Sequence, residues 1–293
     1  MRRVSSPDRL KFIPPQEPLL VEEPPTSDNW IHEIKYDGYR TEIIIDWDGA
    51  RAYTKTGIDW SKRYWPIVAA AEQLGARSAI LDGEVIAPNP KGYPDMAALR
   101  AALSWNAERL AFVAFDILHL NGEDLRRLPT IERRAILWDL VKPAEGAIQF
   151  SQHVEGGGAE FFKAVEEHGL EGMVSKRPNS SYRSGESDAW VKTKCFAMKE
   201  LEIIGVKRDP GRPAMALMAD KGRYVGSAFI TIPGEMRKRL WDRVQRKAGA
   251  KPPKGLEKQK AEWIKPGLVG RVKTLKGEPK LRHASLKDFR EQG

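Results

Sequence analysis

The sequence predicts an α+β chain in two parts, sheets flanked by helices followed by a small β-barrel, and three observations carry the prediction. Up to about residue 199, β-branched and aromatic runs alternate with short helical stretches, two of them stopped by glycine. Beyond it come several short strands and one helix in under a hundred residues, the spacing of a small barrel. The charge shifts at the same place: residues 200–293 hold 23 Lys+Arg against 11 Asp+Glu, a balance of +12, whereas residues 1–199 hold 26 against 29, or −3. This divides the chain into 1–29, 30–199 and 200–293.

Taken in order, residues 1–29 carry Pro14-Pro15 and Pro24-Pro25 among acidic residues and read as an extended lead-in rather than a packed element. Ile31 to Trp47 is mostly β-branched and aromatic; with Asp48-Gly49 and Ala50 to Thr56 it reads as a hairpin turned at Asp-Gly. Ser61 to Leu74 predicts a helix stopped by Gly75. Strands follow at Ala79 to Ala87, interrupted by Asp82-Gly83-Glu84, and at Leu110 to Leu120, which carries Asp116. Helices are expected at about 95–103, 130–141 and 159–168, the last ended by Gly169. In the basic third, Leu201 to Lys207, Ala214 to Ala219, Tyr224 to Thr231 and Leu268 to Leu275 read as strands. A helix is expected near 234–247, then a Lys/Pro/Gly-rich connector at about 248–260.

With 293 residues and 41% hydrophobic content, the chain can bury a core, which excludes disorder as the whole answer. No run approaches the ~20 apolar residues of a membrane helix. The start, Met1-Arg2-Arg3-Val4, lacks the apolar stretch of a signal peptide, so the reading is a soluble cytoplasmic protein with no membrane partner. A single cysteine, Cys195, excludes an intramolecular disulfide, and five scattered histidines exclude a zinc site of Cys/His spacing. Any metal must then sit on carboxylates. The +12 balance suits a polyanion such as nucleic acid, because neutralised phosphates release counterions; a solvated basic face is the plain alternative.

The most informative segment is Glu33-Ile34-Lys35-Tyr36-Asp37-Gly38-Tyr39-Arg40. A lysine in a strand-like apolar run is costly to bury without a purpose, although a salt-bridged structural lysine is the plain reading. To act as a nucleophile, a lysine of ordinary pKa must lose a proton, a cost of about 4.6 kcal/mol at pH 7. Nearby cations lower that cost. Trp190-Val191-Lys192-Thr193-Lys194 sets two lysines at period two, on one face of a strand, where they could hold a polyphosphate. Leu81-Asp82-Gly83-Glu84-Val85 and Leu170-Glu171-Gly172-Met173 each place a carboxylate beside a glycine, where a ligand can approach closely. Two such carboxylates suit an oxygen-ligated Mg²⁺.

In this order, Lys35 to Arg40, Asp82-Gly83-Glu84, Phe115-Asp116-Ile117-Leu118, Glu171 to Lys176 and Trp190 to Lys194 resemble the motifs of the covalent nucleotidyltransferase superfamily: DNA ligases, RNA ligases and capping enzymes. The run Glu171 to Lys194, with Arg177-Pro178 and Ser181-Tyr182-Arg183, and the tail Leu281 to Leu286 are most similar to bacterial ATP-dependent DNA ligases of the end-joining (LigD) type. The resemblance covers roughly residues 20–290. It implies an adenylyltransferase domain of antiparallel sheets flanked by helices, followed by an OB-fold β-barrel.

The resemblance also implies roles. Lys35 becomes the lysyl-AMP; Glu33 reads the adenine amino group with the backbone of Ile34 beside it, and Phe115 stacks on the base. Arg40 and Glu84 hold the ribose side, and Glu84 with Glu171 are the metal-side carboxylates for Mg²⁺ or Mn²⁺, with Asp37 shaping the site nearby. Lys192, Lys194 and Arg282 contact the phosphates of ATP. At Thr54-Lys55-Thr56-Gly57 the family usually has Ser-Arg-Asn-Gly, and Lys55 lacks arginine's bidentate fork, so contact to ribose or 5′-phosphate is expected to be weaker there. The tail Arg290-Glu291-Gln292-Gly293 lacks the lysine that many relatives place against pyrophosphate. The implied activity is ATP-dependent sealing of nicked or broken double-stranded DNA in repair by end joining, by a monomer near the nucleoid, with a Ku-type end-binding protein as partner. An RNA ligase or a catalytically idle DNA-end binder of the same fold are the alternatives.

Overall fold

The computed structural model describes residues 9–90, 92–142, 146–276, 280–281 and 283–292. The chain divides into two compact units, Met1–Lys194 and Cys195–Gly293.

The strands of the first unit are β1 Gln16–Val21, β2 Ile31–Ile34, β3 Tyr39–Asp46, β4 Gly49–Thr54, β5 Ala79–Ile86, β6 Ala111–Leu120, β7 Glu123–Asp124, β8 Ile148–Phe150, β9 His153–Glu155, β10 Gly172–Lys176 and β11 Gly185–Lys194. Its helices are α1 Trp65–Glu72, α2 Met96–Trp105, α3 Thr130–Val141 and α4 Gly158–Glu167. One sheet runs β4-β3-β5-β6-β7, with β8 also beside β6; the other runs β1-β11-β10-β2-β9. All pairs are antiparallel except β1–β11 and β6–β8. Alternation along β3 explains how the layers stack. Ile43 and Ile45 enter a core with Ile67, Leu99 and Leu137 from the helices. Ile44 points the other way and joins Ile80, Phe115 and Leu118 against Tyr182 and Trp190, so the first sheet is covered on both faces.

Two expectations are corrected here. The single strand expected over Ile31 to Trp47 is two strands in two different sheets, β2 and β3, broken at Lys35–Gly38. Gly38 makes the crossing possible: a Cβ there would stand 2.2 Å from the carbonyl oxygen of Val85, far inside contact distance. The lead-in, expected to stay unpacked, docks. Backbone N–H groups of Leu10, Ile13 and Gln16 donate to Asp46 Oδ2, Glu42 Oε1 and Tyr182 Oη at 3.0, 3.0 and 2.9 Å, and the chain continues as β1 alongside β11. Side chains on other elements satisfy these donors, as buried backbone requires.

Helix boundaries move by a few residues. α1 begins at Trp65 rather than Ser61 because Pro66 sits in its first turn, where a missing N–H costs nothing. α2 is capped by Asp95, whose carboxylate accepts from the Ala98 N–H at 2.6 Å, a contact of about 1 kcal/mol.

In the second unit, β12 Phe196–Lys207, β13 Met215–Asp220, β14 Arg223–Ile230, β15 Glu262–Trp263, β16 Leu268–Leu275 and β17 Ser285–Glu291 accompany one helix, α5 Gly234–Lys247. The pairing β12–β13–β14–β17–β16 returns to β12, an OB-fold-like sheet closed on itself around Ile203, Met218, Val272 and Leu286. α5 lays Leu240 and Val244 on that core. Among the described residues, no helix is long and apolar enough to cross a membrane.

Candidate active site

Lys35 occupies the crossing between the two sheets of the first unit. Its N–H donates to the carbonyl of Gly172 at 2.9 Å, which ties the crossing to the start of β10. Gly172 has no room for a side chain, since a Cβ would lie 2.2 Å from the Thr193 carbonyl oxygen. The close packing there puts Glu171 within reach: Lys35 Nζ donates to Glu171 Oε2 at 2.6 Å, and Lys194 Nζ lies 3.6 Å from Glu171 Oε1. Lys194 is the register partner of Gly172 on β11, and Lys192, two residues earlier, shares its face.

These lysines feel one another. Burial lowers the pKa of Lys194, and Lys35 and Lys192 push the same way against the opposing pull of Glu171. For Lys192, burial and then Lys35 lower it, with Lys55 adding to the fall and Glu17 opposing. The result is a face of positive charge suited to a polyphosphate, built from β11 and the β2–β3 crossing.

Lys35 lines a cavity together with, among others, Pro18, Glu33, Ile34, Tyr36, Phe115 and Lys176. Arg40 forms one wall. It is held by a bidentate pair to Asp82, both contacts at 2.6 Å, and its guanidinium carbon lies 4.5 Å from the Phe115 ring centroid. Asp82 also accepts from the Tyr182 hydroxyl at 2.7 Å, so the arginine is fixed from beneath.

Glu33, also in the cavity wall, is 2% exposed and lies among charged groups. Lys176 Nζ and Arg134 Nη1 approach Glu33 Oε1 at 2.6 and 3.0 Å, and the Ser151 hydroxyl donates to Oε2 at 2.6 Å. Burial alone would raise the pKa of Glu33, but Arg134 and Lys176 outweigh it and hold the carboxyl below its ordinary value. Burial brings Lys176 down to about 8, with Glu33 opposing.

Glu84 faces Lys35 from β5, where it is the register partner of Arg40. Burial drives its carboxyl up to about 7; Lys35 and Arg40 oppose the rise, and Glu171 and Asp82 add to it. Two carboxylates that repel each other beside a phosphate-binding face are the donor set a hard divalent cation uses with substrate oxygens. The described residues contain no cluster of three or more His, Cys, Asp or Glu that could cage a metal by themselves. Glu84 and Glu171 interact electrostatically with each other and with Lys35.

The family model described as ATP dependent DNA ligase domain matches residues 21–194. The chain belongs to that family. The multifunctional non-homologous end joining protein LigD of Pseudomonas aeruginosa is 33% identical over 273 residues, covering 87% of this chain and 32% of that protein. LigD of Mycobacterium tuberculosis is 30% identical over 209 residues, covering 71% of this chain and 26% of that protein. The chain thus spans a third or less of the length of these curated relatives. A solved structure titled mycobacterial DNA ligase D complexed with ATP and MES superposes with a TM-score of 0.60 at 25% identity over 95% of each chain.

Within this ligase family, the expected residues fall into three groups. Glu33, Ile34, Lys35, Arg40, Glu84 and Phe115 line one cavity. Glu171, Lys192 and Lys194 interact with Lys35. Lys55 lies outside the cavity wall in an exposed pair with Glu17, 2.6 Å long, and Asp37 is half-buried in the crossing loop. Arg282 lies outside the described residues. The residue list drawn from the sequence missed Lys176, Trp190, Tyr36 and Arg134. Lys176 and Trp190 stood at the ends of motifs already singled out, and a lysine on a strand of apolar residues was the available signal. Arg134 sits next to Arg133 on α3, and both are essentially buried.

Proposed function

We propose that this chain is an ATP-dependent DNA ligase that seals 5′-phosphate/3′-hydroxyl breaks in double-stranded DNA through a lysyl-AMP on Lys35, in repair by end joining. The observation that carries it is the position of Lys35: it lines one cavity with Glu33, Arg40 and Phe115, 2.6 Å from Glu171 and beside the lysines of β11. The end-joining assignment draws on the printed names of the relatives.

In the first step, Lys35 Nζ forms a bond to the α-phosphorus of ATP, and the bond from that phosphorus to the pyrophosphate oxygen breaks. Glu171 Oε2 is placed to take the proton that Nζ must lose. Lys192 and Lys194 offset charge on the phosphate oxygens, a fixed electrostatic contribution that needs no reorganisation. Glu33 and Phe115 hold the base, and Arg40, clamped by Asp82, holds the ribose side. Mg²⁺, or Mn²⁺, bound at Glu84 and Glu171 would supply further neutralisation of the phosphates. AMP then passes to the 5′-phosphate of the break, and the 3′-hydroxyl displaces it to form the phosphodiester.

The basic residues at 200–293 supply backbone affinity for DNA without sequence preference. A Ku-type partner, a monomeric state and a place at the nucleoid enter this reading from the family resemblance alone. The test is sealing of a duplex with one labelled nick, given ATP and Mg²⁺, against the same nick in an RNA strand. Sealed DNA supports the reading; sealing of RNA alone would move the chain to the RNA ligases, and no sealing with either would leave an end binder.

A further inference from the structure

Arg40 presents a countable set of donors to the cavity it lines. A guanidinium carries five N–H groups in a rigid plane. Nε donates to Asp82 Oδ1 at 2.6 Å, and Nη2 donates to Asp82 Oδ2 at 2.6 Å and to the carbonyl of Gln16 at 3.2 Å. These contacts use three of the five, so the two N–H groups of Nη1 are the ones left for a ligand.

One hydroxyl joins the two groups that hold this arginine. Tyr182 Oη donates to Asp82 Oδ2 at 2.7 Å and accepts the Gln16 N–H at 2.9 Å. The hydrogen bonds therefore close a ring: Gln16 N–H to Tyr182, Tyr182 to Asp82, Arg40 to Asp82, and Arg40 back to the Gln16 carbonyl. Its members come from β1, the segment before β11, β5 and β3, and Gln16, Asp82 and Tyr182 are buried. The side-chain oxygen of Gln16 also accepts the Arg183 N–H at 2.7 Å, a second link between β1 and the Tyr182 segment. Pro18, two residues along β1, lines the same cavity. In a buried ring each bond orients the next, and losing one leaves its partner unmatched. The Tyr182 ring is packed separately, edge to face with Trp190 at 5.8 Å, so the hydroxyl can be removed with the ring in place.

We propose that Tyr182 is a positioning residue for the ligase reaction and that β1 is a working part of the site: the Tyr182 hydroxyl and the Gln16 backbone aim the two remaining donors of Arg40 at the sugar of the bound nucleotide. This rests on the reading of the cavity as the nucleotide site. An arginine clamped at Nε and Nη2 delivers its other nitrogen in one direction, so a sugar hydroxyl gains a full hydrogen bond. A loosened arginine must be ordered when the nucleotide binds, and that cost shrinks the advantage of a sugar that has hydroxyls over one that lacks them.

The experiment measures kcat/KM for labelling of the full chain by ATP and by 2′,3′-dideoxy-ATP, which differ only in the sugar hydroxyls. The unaltered protein should prefer ATP by about tenfold or more, the worth of one well-made hydrogen bond. In Tyr182→Phe that preference should fall by about threefold or more, because the hydroxyl that closes the ring is gone. A merely structural role would slow both nucleotides alike and leave the ratio where it was. Gln16→Ala keeps the hydroxyl but cuts the link to Arg183, and should lower the ratio by about twofold. An unchanged ratio in a folded Tyr182→Phe, or in Gln16→Ala where Tyr182→Phe does not fold, overturns the proposal, as does the absence of any preference in the unaltered protein. No labelling of the unaltered protein by ATP would instead overturn the nucleotide site itself, a separate result.

Discussion

Lys35 Nζ and Glu171 Oε2 are 2.6 Å apart although 136 positions separate them in the chain. The contact exists because β2 and β10 are neighbours and because glycine at 172 lets the start of β10 press against β11. Removing the carboxylate should therefore disable the lysine without unfolding the domain. In Glu171→Ala, labelling of the chain by ATP is expected to fall at least tenfold, with a higher Mg²⁺ concentration for half-maximal labelling. Metal titration of the labelling rate checks this, and thermal melting within a few degrees of the parent excludes unfolding as the cause.

Gly172 itself should tolerate nothing larger. Gly172→Ala places a Cβ 2.2 Å from backbone at a φ of 154°, so either the strand pair opens or the crossing shifts. Both cost stability, by more than about 1 kcal/mol, since strain and lost pairing add. Urea unfolding measures it. Gly169→Ala, where φ is 69° and nothing lies within 4 Å, is the comparison that isolates crowding from backbone strain.

Glu42 gives a pH-dependent stability of predictable sign. It is buried, accepts the Ile13 N–H, and burial, with Asp82 adding to it, carries its carboxyl up to about 8. A folded-state pKa above the unfolded one means that the folded protein binds the proton more tightly. Its contribution is complete below the unfolded value of about 4.3 and is lost as the pH rises through about 8. Glu42→Gln keeps an oxygen for Ile13 but cannot ionise. It should match the parent in stability at pH 4 and exceed it by more than about 1 kcal/mol at pH 9. Denaturant midpoints at the two pH values decide it.

The surplus of positive charge at 200–293 predicts binding to nicked DNA that weakens steeply with salt, with a log–log slope of roughly −0.9 per phosphate neutralised. Fluorescence titration between low and moderate salt reads the slope, and a flat line would place the DNA contacts elsewhere.

Much of the site was legible in the sequence because the chemistry needs unusual neighbours. A lysine in an apolar strand beside Asp-Gly, and carboxylates next to glycines, stand out against the periodicity around them, and Lys35, Glu84 and Glu171 do converge. Strand and helix positions such as 130–141 follow from the same periodicity and agree with α3. What was not legible depends on pairing between distant segments. The break of one apolar run into β2 and β3 has no signature beyond Gly38, whose reason is the Val85 carbonyl on another strand. The docking of Leu10, Ile13 and Gln16 is made by backbone donors, which every residue but proline carries. Arg134 reads as a surface residue of a charged helix until α3 is laid beside Phe115 and Glu33.

The central claim, that Lys35 is the residue that receives AMP, is tested most directly by incubating the chain with labelled ATP and Mg²⁺ and mapping the adduct by peptide mass spectrometry. The account predicts a single AMP on the peptide that contains Lys35, acid-labile and base-stable as a phosphoramidate is, released as pyrophosphate is added back, and absent from Lys35→Ala and from Lys35→Arg, whose guanidinium stays protonated. An adduct on any other residue, or labelling that survives in either variant, would contradict it.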